Sequence, residues 1–271
     1  MLSLLRPASQ AEFSREFIIP NPLANHMRKV LHVGPCDTPG GMATVMHTLA
    51  EFPPEGWQAE LIASHAPGGL WAKWRAYRRA RKELIRQCSS SEGRPDVVHV
   101  HTAADWSWRR KARLISIAQH HNIPIVVHFH SGQFHDWLEA GGKKRKKSVR
   151  TVLEKKNIVG VVLSKRWAEL LNHSLGELKY VPNPVSVPIF DNEVTRKNGQ
   201  MLLLGRNDPV KGHDFAIEVA DALNKTVGNV SLIMTGKAGK GRSYIEEKGW
   251  ISEKEKQELL RESSVSYTHL R

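Results

Sequence analysis

The sequence predicts an α/β protein with two parallel-sheet domains in succession, the second of them incomplete. Short β-branched apolar runs recur along the chain, with helical patterns filling the intervals. These runs lack alternation between apolar and polar residues, which marks strands covered on both faces. After "VPNPVSVP", whose three prolines cannot continue a central strand, the pattern restarts with "QMLLLGR". Two Rossmann-like units joined by a proline-rich segment follow from these observations.

The first credible strand is "KVLHVG". Before it, "MLSLLRPASQ" has too short an apolar run for a secretory leader, and residues 1–26 read as an extension without an assigned function. Further strands are expected at "QAELIAS", "PDVVHVHT", "IPIVVHFHS", "IVGVVLS" and "LKYVPNPV". Helices are expected to start near Met42, Trp71, Trp106, Lys146 and Lys165. Residues 27–184 thus form the first domain and 185–271 part of the second. The second offers "QMLLLGR", a helix to Leu223, "NVSLIMTG", the short polar helix "SYIEEKG" and a strand within "SSVSYTHLR". A doubly wound sheet needs more than this, so a truncated reading frame is expected.

Composition narrows the partners. The 271 residues carry a formal charge of +13 and a pI near 9.9, which selects anionic ligands: a phosphorylated small molecule, a membrane surface or nucleic acid. Cys36 and Cys88 form no CxxC pair, so neither a disulfide framework nor a structural zinc site is indicated, and a reducing cytoplasm fits. No run approaches the roughly 18 apolar residues of a membrane span.

Ligands of open parallel sheets sit beyond the carboxyl ends of the strands. The first such loop, "GPCDTPGGMATVM", brings Gly40 and Gly41 to a helix start, either as a phosphate or sugar cradle or as a simple turn. It is not GxGxxG, and "LIASHAP" offers no acidic residue for a ribose. "VVHVHT" and "VVHFHS" put His99 and His101 on the same face of one strand and His128 and His130 on the same face of the next, four histidines at neighbouring strand ends. They read as hydrogen-bonded histidines or as a metal site, the latter lacking an accompanying carboxylate or cysteine. His130, before Ser131 and Gly132, is the candidate for touching a substrate hydroxyl or phosphate. Residues 71–88 set Trp71, Trp74, Tyr77, Leu84 and Ile85 beside a basic face, which suits either an anionic membrane surface or a core-facing aromatic stripe. The basic run "GGKKRKKSVR" could extend that surface. No nucleic-acid reading motif occurs. "TGKAGKGRS" approaches a P-loop, with Gly236, Gly241 and Ser243 in place but Arg242 where the lysine belongs.

From Met27 to Val265 these pieces resemble the family 4 glycosyltransferases, retaining enzymes of GT-B architecture that use nucleotide-sugar donors. The resemblance rests on the Gly40-Gly41 loop, "VVHFHS", "VVLSKRWAELL", "YVPNPV", where Pro184 replaces the family's glycine, and "LLLGRNDPVKGHDFAIEVADAL". The last matches G-R-x(4)-K-G at Gly205, Arg206, Lys211 and Gly212. It implies that Arg206 and Lys211 bind the donor diphosphate, that the glycine loop lies over donor and acceptor, and that His130 contacts the sugar or the acceptor. It implies no metal and no cofactor beyond the nucleotide-sugar substrate. The acceptor is expected to be a lipid-linked molecule or a glycan, and the protein to sit in the cytoplasm or on the inner face of the membrane. The family's E-x7-E carboxylates are expected past Arg271, so this chain is expected to lack part of its donor pocket and to be weakly active or inactive. A nucleotide-sugar epimerase of the same architecture and a non-catalytic protein binding membrane or nucleic acid are the alternatives.

Overall fold

The structure, a computed structural model, describes residues 27–185, 196–239 and 242–267. The N-terminal extension, residues 186–195 with the third proline of the joint, residues 240–241 and the last four residues lie outside these. The chain divides into two compact units between Val187 and Pro188.

In the first unit, β1 (Arg28–Gly34), β2 (Trp57–Ala63), β3 (Val97–Thr102), β4 (Ile125–Phe129), β5 (Ile158–Val162) and β6 (Lys179–Tyr180) form a wholly parallel sheet. Its order is β2-β1-β3-β4-β5-β6, so the chain reverses direction between β1 and β3. The helices are α1 (Gly41–Glu51), α2 (Leu70–Ser89), α3 (Trp106–His120), α4 (Phe134–Ala140), α5 (Gly142–Leu153) and α6 (Lys165–Leu175).

Right-handed crossovers decide where these helices go. Only β1 to β2 runs toward one edge; every later connection runs toward the other, so α2 to α6 share a face. That face holds the core. Leu31, Val33, Val98, Val100, Val127 and Phe129 pack there against Leu84 of α2, Trp108, Leu114 and Ile115 of α3, Leu138 of α4, Val149 of α5 and Leu171 of α6. Alternate strand residues point the other way, so Val30, His32, His99, Val126 and His128 share the opposite face. A cavity of about 800 Å³ opens over them, and α1 is the one described helix that lines it, through Leu49.

Two expectations need correction here. Around Lys146 there is not one helix but two, α4 and α5, broken at Gly141 and Gly142. The last strand is only Lys179–Tyr180 and not all of "LKYVPNPV", because Pro182 has no N–H to donate to a ladder. Elsewhere local chemistry agrees with sequence: Ser164 caps α6, its Oγ accepting from Trp167 N at 3.2 Å.

The second unit contains β7 (Lys197–Leu203), a 3-10 turn (Pro209–Lys211), α7 (His213–Thr226), β8 (Ser231–Met234), β9 (Ile245–Glu247), α8 (Glu253–Glu262) and β10 (Ser263–Tyr267). Its parallel sheet has the order β10-β7-β8-β9 and reverses between β7 and β10. "SYIEEKG" is thus not a helix. Ile245 pairs with Leu232 and is buried with Leu203 and Met234, and the stretch is too short to offset helix nucleation. The fold class is therefore α/β with two Rossmann-like units.

Among the described residues, the buried cation Lys111 has no carboxylate partner. Lys111 of α3 is 1% exposed and donates from Nζ to Ser64 Oγ at 2.6 Å. Desolvation, then the nearby Arg110 charge, lowers its pKa from 10.5 to about 7. Between these values the unfolded chain holds a proton that the folded chain does not, so stability should rise as pH increases from about 7 to 10.5. Urea midpoints of the wild type should show this rise between pH 7 and about 9, below the range where Cys36 and Cys88, raised from 9.0 to about 11, oppose it, and Lys111→Met should lack it; identical profiles would contradict the assignment.

Candidate functional site

In an open parallel sheet the ligand crevice lies outside the carboxyl ends of the strands, where the strand order reverses. In the second unit that place is the end of β7, next to β10. Gly205 and Arg206 follow β7 directly, and Lys211 closes the 3-10 turn before α7. The Lys211 stem crosses over Gly205, with its Cγ 3.1 Å from where a β-carbon on that glycine would stand. A β-carbon there would press the lysine stem aside by a few tenths of an ångström. Arg206 is exposed and rests on Asp208, Nη2 lying 3.0 Å and Nε 3.1 Å from Oδ2. Lys211 immediately precedes Gly212, the N-cap of α7, whose dipole adds to its field.

Residues that sequence reasoning passed over hold this edge in place. Thr235, just past β8, accepts from Gly205 N through Oγ1 at 2.9 Å, and its carbonyl lies 2.9 Å from His213 Nε2 on α7. Gly236 has φ +82°, and a β-carbon there would stand 2.1 Å from Gly205 O and 2.5 Å from Arg206 Cα. Its signal in the sequence was masked by the P-loop likeness. That likeness fails in the described residues, since β8 leads to a strand and not a helix, and Arg242 pairs with Asp221 at 2.6 Å. Gly241 lies outside them.

In the first unit the reversal falls between β1 and β3. Gly40 is the N-cap of α1 with φ 148° and ψ 166°, a conformation that in practice only glycine adopts, and no side chain caps the helix. The leading N–H groups of α1, from Gly41 onward, have no intrahelical acceptors and suit an anion. Two strands along, His130 N donates to Thr102 O at 2.9 Å, fixing His130 just past β4.

The four histidines expected at neighbouring strand ends share one sheet face, and a fifth, His32 of β1, joins them in register with His99. His32 Nδ1 is 3.1 Å from His101 Nε2, His101 Nδ1 is 2.9 Å from His130 Nε2, and His99 Nε2 is 3.2 Å from His128 Nδ1. Burial lowers His32 and His128 to about 4 and His130 to about 3. It also holds His99 and His101 well below their usual range, with the neighbouring imidazoles adding to the effect. The rings are neutral at pH 7. Neither cysteine is a poised nucleophile, because burial raises Cys36 and Cys88 to about 11.

Helix α2 corrects the aromatic-stripe expectation. Ala76, Ala80 and Leu84 face the core, while Trp71 and Trp74 are 67% and 45% exposed and stack at 4.7 Å. Arg78 lies over Trp74, and Arg109 lies over the exposed Trp106 that begins α3. "GGKKRKKSVR" belongs to α5, where Lys146 pairs with Glu139.

Two Rossmann-like units, each an open parallel sheet with a helix start at its chain reversal, define the class as a two-domain α/β protein. The model for Glycosyltransferase Family 4 matches residues 39–187, more than half the chain. The chain belongs to that family. No curated protein matches significantly. Among solved structures, TarM aligns at 17% identity and TM-score 0.47, over 62% of this chain and 35% of TarM. The kitacinnamycin glycosyltransferase aligns at 11% and 0.46, over 89% and 75% of the two chains. SnogD from Streptomyces nogalater, also a glycosyltransferase, aligns at 11% and 0.42, over 83% and 72%. The chain thus matches about a third of TarM's own length.

Gly236→Ala tests the packing of the second edge. A left-handed alanine alone costs about 1–2 kcal/mol, and the overlap with Gly205 and Arg206 adds to that. The variant should lower the unfolding midpoint of the second unit and loosen amide protection at Gly205; unchanged protection would contradict the contact.

Proposed function

We propose that the protein transfers a sugar from a nucleotide-sugar donor to a glycan or lipid-linked acceptor with retention of anomeric configuration. The observation that carries this reading is that Arg206 follows β7 at the chain reversal of the second sheet and Lys211 directly precedes the N-cap of α7. As the bond between the anomeric carbon and the diphosphate breaks, negative charge grows on the leaving group, and fixed cations stabilise that growth without reorganising. In a front-face step the acceptor hydroxyl attacks from the side the diphosphate leaves, and its proton passes to a departing phosphate oxygen. No side-chain base is needed for this, and the diphosphate charge is met by the two cations, with no metal invoked. His130 contacts the transferred sugar or the acceptor, and the uncapped Gly40-Gly41 helix start offers N–H groups to either.

To bind the diphosphate Arg206 shares its guanidinium with Asp208. An exposed ion pair is worth about 0–1 kcal/mol, so the competition costs little. Charge-assisted hydrogen bonds contribute roughly 1.5–3 kcal/mol each, so Arg206→Ala and Lys211→Ala should each weaken nucleoside diphosphate binding by roughly 10–100-fold. Calorimetric titration of the 271-residue chain measures this directly. Affinities equal to wild type in both variants, or no binding by the wild type, would overturn the proposal.

The acceptor side is proposed to lie at an anionic membrane on its cytoplasmic face. Exposed Leu70, Trp71, Trp74 and Trp106 at the starts of α2 and α3 lie among Lys73, Arg75, Arg78, Arg79 and Arg109, a combination suited to the headgroup region. No helix among the described residues is long and apolar enough to cross a membrane. Vesicles containing phosphatidylglycerol should pellet the protein, and Trp71→Ala with Trp74→Ala should release it at moderate salt. Equal pelleting of both forms would remove this surface from consideration.

A further inference from the structure

We propose that His32, His99 and His101 form a binding site for one zinc-class divalent metal ion, with an open coordination position toward the cavity over the first sheet. The site lies within the first unit, so it stands independently of diphosphate binding at Arg206 and Lys211.

The geometry is that of a ligand set. Each of the three residues can present one ring nitrogen within 4.8 Å of the others'. His32 Nδ1 and His101 Nε2 are already 3.1 Å apart. Zinc–imidazole bonds of about 2.0–2.1 Å place tetrahedral ligand nitrogens about 3.3 Å from one another, so small ring rotations complete the set. The three rings stand on β1 and β3, adjacent strands paired directly at His32 and His99, and strands fix ligand positions better than loops do.

The surroundings supply the rest. His101 Nδ1 contacts His130 Nε2 at 2.9 Å and His99 Nε2 contacts His128 Nδ1 at 3.2 Å. Such outer partners orient a ligating ring and fix its tautomer. His32 and His99 line the cavity of about 800 Å³, which gives an ion a route in and leaves room for a water or anion as fourth ligand. An all-imidazole donor set disfavours magnesium and calcium and suits zinc, cobalt, nickel and copper. Three histidines with one open position is the arrangement zinc adopts in catalytic sites.

The chain is stripped with a chelator and titrated with Zn²⁺ against a chromophoric competitor, and with Co²⁺ by absorption. One tight equivalent and a four-coordinate cobalt spectrum are expected. His32→Gln should weaken zinc by at least tenfold and abolish that spectrum, while His120→Gln, on the surface of α3, should leave both unchanged. Equal zinc affinity in the wild type and His32→Gln overturns the site, as does a loss in His130→Gln without one in His32→Gln, since only His130 belongs to the neighbouring triad of His101, His128 and His130. Absence of tight binding by the wild type overturns it as well. If His32→Gln does not fold, zinc-edge X-ray absorption of the wild type decides: three imidazoles in the shell support the site, and an oxygen-dominated shell rejects it.

Discussion

The handedness of the crossover connections governs most of what distinguishes the first unit. A right-twisted strand followed by a right-handed helix packs back on the sheet in one sense only. Because β2 lies on one side of β1 and every later strand on the other, α1 is separated from α2 to α6. Five helices then build a single core on one face, and the other face is left with α1 and a large cavity. The same rule fixes the place where the chain reverses and hence where strand ends diverge enough to admit a ligand. The second unit repeats the arrangement with fewer elements: β8 and β9 go one way from β7, and β10 goes the other.

The polar chemistry follows the two faces. On the core face almost every inward side chain is a hydrocarbon, so the face has no specificity beyond shape. On the opposite face, the same alternation that buries Leu31 and Val33 turns Val30 and His32 toward the cavity. Imidazoles there meet one another because parallel pairing sets His32 beside His99 and His101 beside His128. A register slip of one residue would send all of these rings into the helical core. The histidine cluster and the hydrophobic core are thus enforced by one pairing.

How much of this was legible in the sequence depended on the range of the interaction. β-Branched runs disclosed β1 to β5, β7 and β8, since burial on both faces requires continuous apolarity. The prolines at 182 and 184 marked the joint but overstated β6, because a lost donor ends a ladder that composition alone would continue. β9 was hidden, since three residues carry no period and only pairing with β8 makes them a strand. Arg206 and Lys211 could be found because both lie within a few residues of one strand end. His32 could not be linked to His99 without knowing that β1 and β3 are neighbours. Thr235 and Gly236 were obscured for the same reason: what they touch belongs to another strand's loop.

The ion pair between Arg206 and Asp208 changes what binding at that edge would measure. One carboxylate oxygen already takes Nε and Nη2 of the guanidinium, so an incoming anion shares that cation with Asp208. Its apparent affinity is a difference between two acids competing for one base. Weak monoanions, no better than an aspartate carboxylate, gain little from such sharing. A polyanion that can bridge Arg206 and Lys211 gains the second contact without a second competitor of that kind. Charge density, more than shape, is what a cation already paired in this way can rank.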